Sequence, residues 1–220
     1  MNDVTNDYRV GQRVRRVEDG RLTTGRGRYN ADVSFDGQAH AVFVRSPHPH
    51  ARIRAIDTAA AAAAPGVLVI LTGADYVAEG LGAMAMIAPP LPTLDKRFIP
   101  PIYPLAIDRV RRVGDAVAVV VAETRAEAQD AAELVEVDYE ELPAVTEVGD
   151  AALPGAPLVF DEAPENTAFL YTIGDAAAVE EAFAKADRIV RQRIRINRVT
   201  HAPMETRGMV ASYDRDSGFH

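Results

Sequence analysis

Runs of β-branched residues, an alanine-rich helical stripe and a strictly alternating segment together predict a protein of the α+β class. The runs VLVILTG (67–73) and GDAVAVVVAE (114–123) read as buried strands. The stretch TRAEAQDAAELV (124–135) places Ala128, Ala131, Ala132 and Val135 at i, i+3, i+4 and i+7, one face of a helix. The segment RIVRQRIRINRV (188–199) puts Arg191, Arg193, Arg195 and Asn197 on one side and Val190, Gln192, Ile194 and Ile196 on the other. That is the pattern of a half-buried antiparallel strand with a cationic, solvated face.

The remaining elements follow in chain order. QAHAVFVRS (38–46) alternates as a strand, yet both of its faces are largely apolar. In DTAAAAAAPG, Asp57 or Thr58 caps a short alanine helix that Pro65 and Gly66 terminate. With VLVILTG behind it, the order strand, helix, strand suggests an α/β unit. Between 79 and 109, prolines 89, 90, 92, 100, 101 and 104 imply an irregular loop with little capacity for pairing. Thr124 and Glu127 then form a T-x-x-E capping box, and VEVDYE supplies the next strand, with Val135 and Val137 inward. The stretch 142–168 is again proline-rich and reads as a linker. Asp175 caps a helix with Val179, Ala182, Phe183 and Ala186 on one face. At the end, 209–213 reads as a strand that Asp214, Asp216, Ser217 and Gly218 turn back toward a partner, and the last unit is expected to be completed by further polypeptide.

Composition narrows the functional classes. The chain has 220 residues, is 48% hydrophobic and carries net charge −8, so it can bury a core and has no overall attraction for nucleic acid. It contains no cysteine, which rules out thiolate metal ligands, disulfides and a cysteine nucleophile on these residues. Any iron–sulfur cluster belongs to another subunit. No apolar run reaches the ~20 residues that span a bilayer, so the expected address is cytoplasmic. Residues 1–30 hold seven arginines (9, 13, 15, 16, 21, 26, 28) against four acids, a basic arm. It lacks interleaved stacking residues and is followed by no helix-turn-helix or zinc-finger spacing, so nucleic acid is not the expected partner.

Three motifs invite chemistry. In SPHPHARI, His48 and His50 stand at alternate positions, and an H-x-H pair on extended backbone aims both imidazoles one way. With five histidines, no cysteine and no H-E-x-x-H helix, further ligands are missing, and a strand-end turn with hydrogen-bonded imidazoles accounts for the pair. GRGRYN lacks the third glycine of a dinucleotide fingerprint and precedes no helix, so it is read as a tight turn. Glu140 and Glu141 adjoin on one strand and face opposite ways, which makes an acidic rim rather than a general acid/base pair.

The ordered series TGRGRYNADV, AVFVRSPHPHARI, PGVLVILTGAD, YPLAIDRVRRVGDAVAVVVAET, AAELVEVDYEELPAV and HAPMETRGMVASYD resembles the start of the molybdenum hydroxylase large subunit. This is the family of xanthine dehydrogenase, aldehyde oxidase and aerobic carbon monoxide dehydrogenase, and HAPMETRG leans toward the carbon monoxide dehydrogenase-like bacterial branch. The resemblance implies an a/b hammerhead domain followed by the truncated start of an α/β molybdopterin-binding domain. Expected boundaries are a basic arm at 1–21, the hammerhead at 22–145, a linker at 146–170 and the incomplete molybdopterin-binding domain at 171–220.

What the resemblance implies about chemistry is equally definite. The whole enzyme oxidises an aldehyde, an N-heterocycle or carbon monoxide with water as oxygen source, on a molybdenum–molybdopterin centre. Electrons pass to [2Fe–2S] clusters and FAD on iron–sulfur and flavin subunits, which are the expected partners together with the remainder of the large subunit. The family's glycine-rich pterin loops and catalytic glutamate have no counterpart here, so this chain alone is expected to be inactive, with no catalytic, cofactor-binding or metal residue. The H-x-H segment is structural in that family. THAPMETRG is the stretch expected near the reactive centre of a completed enzyme, with His201, Glu205 and Arg207 as candidate residues lining its wall or fixing a junction. The alternative is a non-catalytic hammerhead module that docks on iron–sulfur or flavin subunits.

Overall fold

The computed structural model describes residues 11, 16–85, 94–96, 98–196, 199, 201–203 and 205–219. Arg9, Arg13 and Arg15 of the basic arm, prolines 89, 90 and 92, Asn197, Met204 and His220 lie outside them. In chain order the elements are α1 (Asp19–Leu22), β1 (His40–Arg45), β2 (Ala51–Asp57), α2 (Ala59–Ala62), β3 (Val67–Thr72), α3 (Gly73–Ala78) and β4 (Leu94–Lys96). There follow β5 (Arg109–Val110), β6 (Ala116–Ala122), α4 (Arg125–Glu133), β7 (Glu136–Glu141), β8 (Phe169–Tyr171), α5 (Ala176–Lys185), β9 (Tyr213–Asp214) and β10 (Gly218–Phe219). The chain divides into two units, one spanning 37–192 and the other combining 1–36 with 193–220.

The larger unit is built on two three-stranded sheets, ordered β1-β6-β3 and β5-β2-β7. Every pairing in them is antiparallel, yet β1 and β3, both antiparallel to β6, run parallel to each other on either side of it, so the strand, helix, strand unit expected over 38–73 has β6 between its strands and β2 outside its sheet. The reason is that β2 leaves for the second sheet before the chain returns to β3. β2 itself, ARIRAID, was not anticipated. Its alternation is broken by a register shift between Ile53 and Ala55, which obscures the period of two.

The core sits where α4 and α2 cover one face of the first sheet. Ala61, Ala118, Val120 and Ala131 are fully buried there, with Val135 at their edge. The alanine stripe of α4 allows the helix to lie close to β6, as its spacing implied. Fully buried Ala51, Val110 and Val117 form a second cluster, and Val44, Ile56 and Val137 pack against both. β6 is the buried central strand. β3 is an edge strand with Leu68, Val69 and Leu71 exposed, although its composition reads as buried. Apolar content reports that a residue can be covered, whereas position in the sheet decides whether it is.

Local geometry secures the joins. Thr124 Oγ1 accepts from Glu127 N–H while Glu127 accepts from Thr124 N–H, the expected capping box, and Thr72 with Asp75 repeats it at α3. Gly66, at φ +73°, ends the α2 segment, and a Cβ there would lie 2.3 Å from the Glu127 carboxyl carbon. Gly73 is held against the chain at 106–107, where a Cβ would meet the Ala106 carbonyl oxygen at 2.2 Å.

Two further expectations change. The 79–109 segment does pair: Leu94, Asp95 and Lys96 align with Tyr171, Leu170 and Phe169, and Met84 bridges Ile102. These residues keep the backbone N–H groups that the surrounding prolines lack. Conversely, residues 188–196 form no strand and are exposed, because no described backbone offers them a ladder. α5 forms behind its Asp175 cap, with Val179 and Phe183 about half exposed.

The smaller unit contains α1, a 3-10 turn at Asn30–Asp32 and the β9–β10 hairpin. Asp214 Oδ1 accepts from the N–H groups of Asp216 and Ser217, which makes the expected reversal. The strand expected at 209–213 shortens to Tyr213–Asp214, since only two residues of partner strand pair with it. Gly25, at φ +69°, lies in the turn expected at GRGRYN.

Candidate functional site

The two histidines of SPHPH face different partners. His50 is buried, and its Nδ1 lies 2.8 Å from the Pro143 carbonyl oxygen, so that nitrogen carries the proton. Its Nε2 is buried without a hydrogen-bond partner among the described residues. His48 stacks on Tyr139 at 4.8 Å with its Nδ1 3.5 Å from Glu141 Oε1, and its backbone N–H donates to Ser46 Oγ. The imidazoles therefore tie the β1–β2 turn to the end of β7 and do not converge. Burial raises the Tyr139 phenol above its ordinary range, against a hydrogen bond from Ser46 that lowers it. Glu140 pairs with Arg54 at 3.6 Å on the adjacent strand, so the two acids do separate.

His201, Glu205 and Arg207 lie in the smaller unit and are exposed. Glu205 Oε1 accepts from the backbone N–H of Asn30 at 2.9 Å, and the Asn30 side-chain amide donates to the Gly208 carbonyl at 3.1 Å. These two bonds fasten the 3-10 turn that follows GRGRY to the METRG stretch, 175 residues away. Sequence spacing gave no sign of that pairing.

A cleft in the larger unit escaped the sequence reading. It has a volume of about 770 Å³ between the chain at 98–108, the end of β1, the connection at 109–116 and the segment 159–162. Its apolar wall includes Phe43, Phe98, Tyr103 and Phe160, with Phe98 and Phe160 packed at 5.2 Å. Its polar wall is arginine. Arg109 is nine-tenths buried, reaches Asp161 with Nη1 and Nη2 at 3.3 Å each, and leaves its Nε buried without a partner among the described residues. Arg111 donates from Nε to the Val159 carbonyl and from Nη1 to the Arg109 carbonyl, with its guanidinium 4.3 Å over the Phe160 ring. Burial pulls Arg111 below the ordinary arginine range, while the charges of Asp108, Asp115 and Glu162 oppose that shift and Arg109 adds to it. The available signal was DRVRR (108–112), an alternating basic run whose apolar partner Phe160 lies almost fifty residues on.

No group of three or more His, Asp or Glu side chains able to hold a metal occurs among the described residues. From Tyr171 to Gly218 every described residue except Val210 and Gly218 is exposed. A pterin cofactor requires an enclosed cradle of backbone donors, and these exposed residues do not form one by themselves. No helix among the described residues is long and apolar enough to cross a membrane.

Comparison with known proteins places the whole chain. A model described as the aldehyde oxidase and xanthine dehydrogenase a/b hammerhead domain matches residues 24–143, and one for the molybdopterin cofactor-binding domain matches 159–220. The nicotine 6-hydroxylase large subunit of Paenarthrobacter nicotinovorans is 43% identical over 218 residues, covering 93% of this chain and 24% of that protein. The carbon monoxide dehydrogenase large chain of Afipia carboxidovorans is 38% identical over 221 residues, covering 95% and 26%. The solved structure of reconstituted CO dehydrogenase from Oligotropha carboxidovorans superposes with a TM-score of 0.64 at 37% identity, covering 81% of this chain and 22% of that one. The chain thus spans about a quarter of the length of these relatives.

Proposed function

The chain belongs to the aldehyde oxidase and xanthine dehydrogenase a/b hammerhead family, and from that premise we propose that it is a portion of the molybdopterin-binding large subunit of a molybdenum-dependent hydroxylase or dehydrogenase. The observation that carries this reading is the succession of a hammerhead match and a molybdopterin-domain match on one chain, in the order of the large-subunit relatives. The proposed organisation is a basic arm at 1–21, the hammerhead at 22–145, a connection at 146–170 and the beginning of the cofactor-binding domain at 171–220. The assembly oxidises a small aldehyde, N-heterocycle or carbon monoxide in the cytoplasm, taking its oxygen atom from water. The molybdenum–molybdopterin supplies two-electron chemistry, and [2Fe–2S] and FAD on partner subunits carry the electrons away.

Within that assembly His201, Glu205 and Arg207 lie near the reaction centre as positioning residues. Glu205→Gln separates this role from a purely structural one, because the amide keeps an acceptor oxygen for the Asn30 N–H. In the molybdenum-loaded enzyme the variant is expected to lower turnover with molybdenum content and melting temperature unchanged. Parallel loss of stability and turnover assigns Glu205 to structure alone.

The function is tested by assembling the full large subunit with its iron–sulfur and flavin subunits and offering each substrate class in ¹⁸O-labelled water. Dye reduction that depends on molybdenum, with label in the product, is the expected result. A molybdenum-loaded assembly that oxidises none of the three classes contradicts it.

A further inference from the structure

We propose that the arginine-and-aromatic cleft of the larger unit is a binding site for a bicyclic aromatic carboxylate, a ligand site carried by residues 43–162 themselves. The cleft's volume of about 770 Å³ lies within the ~300–1,000 Å³ that small-molecule pockets occupy. Its chemistry is segregated by depth. The inner cations are Arg109, nine-tenths buried, and the half-buried Arg111, whereas the acids Asp108, Asp161 and Glu162 are exposed at the rim. Rim carboxylates are screened by water, and buried guanidinium groups are not.

Arg111 feels the charges of Asp108, Asp115 and Glu162 but has no direct ion pair among the described residues. Asp161 is engaged by Arg109, and Asp115 accepts from Arg112 Nε at 2.7 Å and from the Arg111 backbone N–H at 2.8 Å. The Arg111 side chain is held only by two backbone carbonyls and the Phe160 ring, with no carboxylate in ion-pair range among the described residues. A half-buried guanidinium with no carboxylate in direct contact still has donors to offer, and its planar fork matches a carboxylate. The Arg109 Nε is a second buried donor, with no acceptor among the described residues. Phe160, already beneath Arg111, and Phe98 beside it continue that cationic point into an aromatic wall, which a fused ring system can stack against.

The chain contains no tryptophan, so the fluorescence of an indole ligand can be followed directly on the purified 220-residue protein. Indole-3-acetate, indole-3-acetamide and tryptamine are titrated by their own fluorescence, and acetate by competition against bound indole-3-acetate; the three comparators keep the ring without the anion, replace the anion by a cation, or keep the anion without the ring. The expected result is saturable binding of indole-3-acetate at least tenfold tighter than any of the three. Arg111→Met and Phe160→Leu are each expected to weaken it at least tenfold, while Arg188→Gln, exposed and outside the cleft, leaves it unchanged. Should Arg111→Met fail to fold, the four-ligand comparison on the unaltered chain still decides. Equal affinity for acid and amide, tighter binding of tryptamine, equal binding of acetate, or no saturation overturns the proposal.

Discussion

Thr124 shows how one side chain sets an element's start. Its hydroxyl accepts from Glu127 N–H and donates to the Glu127 carboxylate at 2.8 Å, so both ends of the box depend on it. Thr124→Ala is expected to destabilise the protein by about 1 kcal/mol, read as a lower denaturation midpoint at unchanged slope. An unchanged midpoint contradicts the cap. Gly73 carries a stricter constraint, since a Cβ would run into backbone rather than into a movable side-chain tip. Gly73→Ala is expected to cost about 1–3 kcal/mol as the chain at 106–107 is pushed away. At Asp75, the hydrogen bond from the Thr72 hydroxyl, followed by that from the Thr72 backbone, holds the carboxyl below its ordinary value. A depressed folded-state value means that the stabilisation is complete above the unfolded carboxyl value of about 3.9 and fades as pH falls through the folded one. The stability gap between the protein and Asp75→Asn should therefore be present at neutral pH and close below about pH 4. A gap independent of pH removes the carboxylate from the cap.

Among the elements, β6 and α5 are opposite cases of apolar sequence. Val120 on β6 is fully buried between α4 and the flanking strands, and Val120→Ala is expected to cost about 2 kcal/mol. Phe183 on α5 is about half exposed, and Phe183→Ser is expected to stay within about 0.5 kcal/mol in the same melt. Comparable losses in the two variants would mean that α5 is covered. The difference marks the limit of reading a sequence alone. Helix starts, the α4 stripe, β6, β7 and the Asp214 turn are local, written in caps and spacing within a few residues of each other. The exposure of β3, the absence of a strand at 188–196 and the diversion of β2 to a second sheet depend on which backbone lies alongside. The candidate stretch at 201–207 stands out in the sequence only as a concentration of polar and charged side chains, His201, Glu205 and Arg207. Its bond from Asn30 to Glu205 was not legible there, nor was the cleft that joins Arg111 to Phe160, because both bring together residues distant in sequence.

At the scale of the molecule, a hammerhead unit with a compact core is joined to residues 171–218 that are almost wholly exposed, although the latter match a cofactor-binding family. The expectation is that folding and cofactor binding separate on this chain, with the compact core in the antiparallel sheets and residues 171–218 open. That separation is measured most directly by expressing the 220-residue chain in a host that makes the molybdenum cofactor, purifying it by gel filtration and determining metal by plasma mass spectrometry. The full-length large subunit, prepared in parallel, is expected to carry molybdenum near one per chain, and the 220-residue chain to elute folded with molybdenum at background. Near-stoichiometric molybdenum on the 220-residue chain would contradict the claim that cofactor binding is a property of the completed subunit.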